Sequence, residues 1–478
     1  MIEAVLLQKS RIKLRKNKEM NKEPKRTISF SPPDMSELEE KEVVDTLRSG
    51  WITTGPKTKK LEHKLATFVG VKNGINSAGE AVADPNLVCL NSATASEELI
   101  LRVLGVGPGD EVIIPAYTYT SSAAAALHVG AKIVFIDCQA DSLEMDYEKV
   151  RAAINAHTKA IVPVDLGGVP CDYDKIFSIV TDPEVRKLFT PLEADESDDD
   201  LTKLGSRIQK NLGRVAIVSD GAHALGAHRF VIHSSSDPEG RNGCKDLMVG
   251  SIADFTSFSF HAVKNFTTAE GGAASWNLPF TTAAAEEGNV SDSEIYHWFQ
   301  LLSLHGQSKD ALHKTQLGAW EYDIVAPLYK CNMTDIMAGI GLAQLERYPR
   351  LLARRREIIA RYDAACDELG VDHIKHFTDG YTSSGHLYIT RITGCDDQQR
   401  RQIIIRMAEK GVATNVHYKP LPLMTGYKRL GFKIDDYPNA YKLFSNEITL
   451  PLHTKLSDDD VEYVIKSFKE SVKEVRGY

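Results

Sequence analysis

Four short segments carry residues able to do group-transfer chemistry. The central one is Ser257-Phe258-Ser259-Phe260-His261-Ala262-Val263-Lys264-Asn265, followed by Glu270-Gly271-Gly272. An apolar strand ends, a loop follows, and a lysine arrives. A lysine at such a place can form a Schiff base with an aldehyde cofactor, provided its site lowers the amine pKa. Ser259 stands shortly before it and could bond a phosphate. A lone loop lysine is ordinarily a solvated surface residue, so its neighbours must carry the reading.

The second segment, Val215 to His223, is an apolar strand that delivers Asp220 at its carboxyl end, where open α/β sheets bind ligands. Pyridoxal phosphate (PLP) needs a carboxylate beside its pyridine nitrogen, which keeps the ring protonated. Asp220 suits that role, although an aspartate after a strand is commonly only a turn or cap residue. His223 could contact the ring oxygen or lie against the ring face. The third segment, Asn91-Ser92-Ala93-Thr94-Ala95, is a small polar turn opening a helix. Its backbone N–H groups suit a phosphate, with Ser92, Ala93 and Thr94 as candidates. The fourth, Pro115 to Thr120, offers Tyr117 and Tyr119 to stack on a ring or simply to pack.

Positioning these segments requires an α/β framework. Strand-like runs at Leu87–Leu90, Glu111–Ile114, Lys132–Ile136, Ala160–Val164, Val215–Val218 and Ala253–Phe258 alternate with helical patterns at 95–104, 119–129 and 147–155. Such alternation predicts a mostly parallel sheet flanked by helices. Two helices, 36–48 and 57–68, precede it. A long charged helical pattern from Leu342 to Cys366 leads to a smaller C-terminal α/β domain with a strand at 387–391 and helices at 398–410 and 458–475. The organisation expected is a basic, disordered extension over 1–30, a large domain over 31–345 and a small one over 346–478. An insert at 177–213, with an acidic run from Glu193 to Asp200, reads as a solvated surface excursion.

The 478-residue chain has a net charge of -8, which argues against general nucleic-acid binding. Seven scattered cysteines without a CxxC pair read as reduced thiols rather than a disulfide framework or metal site. No stretch is long and apolar enough to cross a membrane, and the basic N-terminus lacks the apolar run of a secretion signal. A cytoplasmic protein is expected.

Phosphate turn, aromatic, aspartate and lysine fall in one chain order. With Trp51-Ile52-Thr53-Thr54-Gly55-Pro56, Gly107-Pro108-Gly109-Asp110-Glu111-Val112, Asn332-Met333-Thr334-Asp335-Ile336, His417-Tyr418 and Leu450-Pro451-Leu452-His453, the chain resembles the DegT/StrS nucleotide-sugar aminotransferases of PLP fold type I from Ser36 onward. The resemblance implies Lys264 as the cofactor lysine and proton shuttle, with Asp220 paired to the ring nitrogen. It implies Tyr119, rather than Tyr117, as the stacking aromatic, and Ala93, Thr94 and Ser259 around the phosphate. His223 would meet the ring hydroxyl side. Asn332 would reach the phosphate of a neighbouring subunit in a homodimer with shared sites. Trp51, Thr53, Thr54, His417 and Tyr418 would line the sugar-nucleotide cleft. The implied reaction moves an amino group from L-glutamate to a nucleotide-linked keto sugar, a UDP- or dTDP-4-keto-6-deoxy sugar by the Trp51–Lys57 stretch, in a glycan, polysaccharide or natural-product pathway.

Departures are Ser219, where the family often has an acid, Cys331, commonly aromatic, and long stretches at 177–213 and 230–247. A related sugar dehydratase has histidine in place of the lysine, and Lys264 argues against that reading. An NAD-dependent oxidoreductase lacks support because no GxGxxG follows an early strand. A non-catalytic binding paralogue would have no chemical need for Lys264, Asp220, Ser259 and Asn332 together.

Overall fold

The structure, a computed structural model, describes residues 26–281, 289–308 and 322–477. The basic residues Lys9 to Lys25 lie outside the described residues.

Seven strands form the main sheet: β1 (Leu87–Leu90), β2 (Glu111–Pro115), β3 (Lys132–Ile136), β4 (Thr158–Ile161), β5 (Ala216–Asp220), β8 (Phe255–Ser259) and β9 (Gly272–Trp276). Their order is β1-β9-β8-β5-β4-β2-β3. β9 is antiparallel to both neighbours and the rest are parallel. The continuous apolar runs have a direct cause. Val112, Ile114, Ala160, Val162, Ala216 and Val218 face one core, and Ile113, Ile161, Val215 and Ile217 the other. Both faces are covered by helices, so alternation of side chains produces no polar face. Each fully buried Val or Ile contributes about 1.5–3 kcal/mol.

Register brings the chemistry together. Leu90 and Ser259 both pair with Gly272, and Asp220 pairs with Ser257. The ends of β1, β9, β8 and β5 therefore sit side by side. Gly272 is required by this closeness, since a Cβ there would stand 2.4 Å from the Ser92 carbonyl carbon and 2.5 Å from the Ala93 nitrogen.

Local signals set the flanking helices. Ser36 and Glu39 form a capping box that starts Glu37–Ser49, and Gly50 ends it in the left-handed region. Asp335 begins the long helix Asp335–Leu369 and also accepts the N–H groups of Gly55, Lys57 and Thr58, capping Pro56–Val69 as well. The Trp51 ring occupies the space a side chain at position 55 would fill.

The insert at 177–213 differs from the expected excursion. Phe177 is fully buried within the helix Tyr173–Thr181, and a second helix, Asp200–Leu212, packs Leu204 and Ile208 into the core. Its Gly205 meets Gly105 so closely that a Cβ would come within 2.7 Å. Of the acidic run, Asp199 caps this helix and Asp200 sits in its first turn, where negative charge is favoured. The stretch 230–247 runs from the end of β6 (His228–Val231) into its antiparallel partner β7 (Lys245–Met248), and β11 (Tyr381–Thr382) pairs with β6 on its other side.

A third core gathers residues of the C-terminal half around the antiparallel strands β10 (Asp372–His373), β12 (Tyr388–Arg391) and β13 (Glu447–Leu450), with helices Asp397–Glu409 and Asp458–Arg476. Position 346 falls inside the Asp335–Leu369 helix, which begins against the large domain and ends in this third core. Residues 26–30, expected in the disordered extension, are ordered instead. Ile28 is buried and bridges Val412, and Arg26 binds Asp460.

Candidate active site

A cavity of about 680 Å³ opens at the carboxyl ends of β5 and β8. Ala93, Thr94, Tyr119, Asp220, His223, Ser259, Lys264, His417 and Tyr418 all line it. Strand ends and helix starts place them, and the C-terminal half supplies the last two.

Lys264 follows β8 in a loop braced by its neighbour. Asn265 donates from Nδ2 to the Ser384 carbonyl at 2.8 Å and shares a 2.9 Å hydrogen bond with His386. Burial lowers the Lys264 amine to about 8, against the opposing pull of Asp220 and Glu97. A useful fraction of neutral amine is then present near neutrality.

Asp220 is buried, with 4% of its surface exposed. Ser122 Oγ donates to its Oδ2 at 2.7 Å, and the Ala222 N–H to its Oδ1 at 3.1 Å. His223 accepts the Gly167 N–H on Nδ1 at 3.1 Å, so that nitrogen carries no proton. Burial and the nearby Lys264 hold the ring well below its usual pKa. The neutral ring therefore has its hydrogen on Nε2, 3.2 Å from the Tyr418 hydroxyl.

At the other end, Ser92 Oγ caps the helix Ala93–Val103 by accepting the Ala95 N–H, and Thr94 Oγ1 donates to Ser121 Oγ at 3.1 Å. Tyr119 is 58% exposed and its ring lies 5.9 Å from Tyr418. Tyr117 is buried and spends its hydroxyl on the His417 carbonyl at 2.9 Å. The His417 loop is also gripped by the C-terminal half, where Glu447 accepts the His417 N–H at 3.0 Å. Burial raises Glu447 to about 8.

Trp51, Thr53, Thr54 and Asn332 do not line this cavity within the chain. They form a separate group at the start of the Asp335–Leu369 helix. Trp51 Nε1 donates to the Thr54 carbonyl, Asn332 Nδ2 to Thr54 Oγ1, and the Asp335 N–H to the Thr53 carbonyl. Those bonds hold the cluster together, and Asn332 bridges Leu90 at the end of β1.

The arrangement fits PLP. A half-buried amine shares the cavity with a buried carboxylate, hydroxyls and N–H groups stand at a helix N-terminus for a phosphate, and the volume suits a cofactor with a substrate. Comparison with known proteins agrees. The profile of the DegT/DnrJ/EryC1/StrS aminotransferase family matches residues 33–186 and 206–469. The chain belongs to that family. Streptococcus pneumoniae Spr1654, described as a candidate sugar aminotransferase and solved in its PMP form, is 52% identical, with a TM-score of 0.80 over 94% of this chain and 100% of its own. The spore coat polysaccharide biosynthesis protein SpsC of Bacillus subtilis is 32% identical over 93% of this chain and 97% of its own. The UDP-4-amino-4-deoxy-L-arabinose–oxoglutarate aminotransferase of Shewanella sediminis is 30% identical over 92% and 97%. This aminotransferase uses PLP, and among its described residues no helix is long and apolar enough to cross a membrane.

Several residues of the site were not singled out in the sequence. Ser122 and Ser121 sit in the small-residue run after Tyr119, where backbone and side chains read alike. Glu97 carried a usable signal, a carboxylate on the otherwise buried face formed by Ala93, Ile100 and Leu101. Ser219 is explained by its neighbour Asp165, a buried acid that accepts hydrogen bonds from Ser219 Oγ and Tyr173 at 2.9 Å each. Burial raises Asp165 to about 7.

Proposed function

We propose that this enzyme transfers an amino group from L-glutamate to a nucleotide-linked keto sugar, with a UDP- or dTDP-4-keto-6-deoxy sugar as acceptor. The observation that carries the reading is the half-buried Lys264, with its lowered amine pKa, sharing a cavity with Asp220, His417 and Tyr418. The Shewanella relative, named for a UDP-linked amino sugar and oxoglutarate, supports both the acceptor class and the donor.

PLP, when bound, supplies an aldehyde for capturing amines and a ring that spreads the negative charge left at carbon. Asp220, kept in place by Ser122 and Ala222, would accept the ring N–H. His223 would offer its Nε2–H to the ring oxygen. Ala93, Thr94 and Ser259 would hold the phosphate, and Tyr119 would cover the ring face. Lys264 would hold the cofactor through its amine, and would take the proton from the donor's α-carbon and give it back during the transfer. The lowered amine pKa fits it for both directions. His417 and Tyr418 border the acceptor side. In a homodimer, Trp51, Thr53, Thr54 and Asn332 of one subunit complete the cavity of the other. That none of the four lines the chain's own cavity supports that division.

The test is a half-reaction experiment. L-glutamate should convert the bound cofactor to its pyridoxamine form, and one sugar nucleotide should reverse the change. Conversion by neither glutamate nor any keto sugar nucleotide refutes the proposal.

A further inference from the structure

Glu97 lies on the first turns of the Ala93–Val103 helix with 2% of its surface exposed. Its Oε2 accepts the Ser121 hydroxyl at 2.8 Å. Ser121 in turn accepts the Thr94 hydroxyl at 3.1 Å. Donation thus runs one way, from Thr94 to Ser121 to Glu97. The other carboxyl oxygen, Oε1, is buried and meets no donor among the described residues. Adjacent residues of one helix, Ser121 and Ser122, bond Glu97 and Asp220 respectively, and Asp220, another carboxyl, is the charged neighbour that acts on Glu97.

Two acceptors cannot bond each other without a hydrogen between them, and two adjacent buried carboxyls cannot both ionise cheaply. Asp220 already draws donors to both oxygens, from Ser122 and Ala222, which favours its charged form. We propose that Glu97 is a neutral carboxylic acid whose Oε1–H donates to Asp220, making it a positioning residue for the carboxylate that meets the cofactor's ring nitrogen. Burial and the Asp220 charge push the Glu97 carboxyl well above its usual range, in keeping with this state. The groups facing it are Asp220 on β5, Lys264 after β8 and Ser121 on the Thr120–His128 helix. A hydrogen-bonded line then runs from the phosphate end of the cavity, at Thr94, to its ring-nitrogen end at Asp220. The inference rests on the proposed role of Asp220.

The test uses the PLP-loaded enzyme and its Glu97→Gln and Glu97→Leu variants. Two quantities are read: the pH midpoint of the visible band of the lysine-linked cofactor, and the PLP dissociation constant. Glutamine keeps a donor and the neutral charge, so E97Q should retain the wild-type midpoint and affinity. Leucine removes the donor, so E97L should lose PLP affinity by about tenfold or more, the scale of a lost hydrogen bond to a buried charge. If Glu97 were ionised, E97Q would delete a negative charge beside the lysine linkage. The midpoint would then fall by about one unit or more, which overturns the inference even if E97L fails to fold. E97L binding PLP as tightly as wild type would overturn it as well. A wild-type protein that shows no visible band with PLP contradicts the underlying site reading instead.

Discussion

Asn265 and His386 share a 2.9 Å hydrogen bond that ties the residue beside Lys264 to the C-terminal half of the chain. Asn265 Nδ2 is already committed to the Ser384 carbonyl, so Oδ1 is the acceptor and the neutral His386 ring donates from Nδ1. Burial and the neighbouring His223 hold that ring well below its usual pKa. Asn265→Ala should therefore loosen the lysine loop. Turnover should fall about tenfold, the upper end of one hydrogen bond's net worth, with the PLP band retained. Steady-state kinetics and the absorbance spectrum check both halves.

Ser122→Ala removes the hydroxyl donor to Asp220 and should cut turnover about tenfold or more, since hydrogen bonds to charged groups are worth about 1.5–3 kcal/mol. Asp220→Asn should cost about a hundredfold or more, as loss of a preorganised electrostatic partner does. Both should melt as cooperatively as wild type. Full activity in Asp220→Asn would remove its assigned role.

The lowered Lys264 pKa makes a prediction about apo-protein. Capture of PLP requires the neutral amine, whose fraction grows as pH rises through the pKa. With that pKa at about 8, the rate of band formation on adding PLP should rise to a midpoint near 8. A rate still climbing at about pH 10, the range of an ordinary lysine, would contradict the burial argument.

Gly272→Ala tests the close approach of β9 to the Ala93 helix. The added methyl would meet backbone at 2.4 Å, so the helix start must shift. Overpacking of this kind costs about 1–3 kcal/mol. PLP and inorganic phosphate should both bind more weakly, measured by equilibrium dialysis.

The proposed sharing of sites between subunits predicts complementation. Lys264→Ala and Asn332→Ala, each inactive alone, should regain activity when co-expressed, because some mixed dimers hold one intact site. Absence of any regain would place Asn332 in its own subunit's chemistry or in none.

The parts of this fold visible in sequence are those governed by local chemistry. Leu87–Leu90 and Lys132–Ile136 were bounded as found because apolar β-branched runs end in polar turns. β9 escaped notice, since Gly272-Ala273-Ala274-Ser275-Trp276 has little strand propensity and is set by pairing on both sides. The Asp200–Leu212 helix was hidden by the charged run before it, although its apolar positions fall on one face. In the site, Lys264, Asp220 and His223 stood out because each follows a strand. Glu97, Ser122 and Asn265 act through contacts distant in sequence, which no spacing reveals. The grouping of Trp51 with Asn332 was equally invisible, because it depends on bonds between segments far apart in the chain.

The most direct test of the central claim is the visible spectrum of the PLP-loaded protein and of Lys264→Ala, followed on adding L-glutamate and then a UDP- or dTDP-4-keto-6-deoxy sugar. Wild type should lose its band with glutamate and recover it with one sugar nucleotide, and Lys264→Ala should do neither at a catalytic rate. Equal conversion by Lys264→Ala, or a wild-type band indifferent to glutamate and sugar alike, would contradict the account.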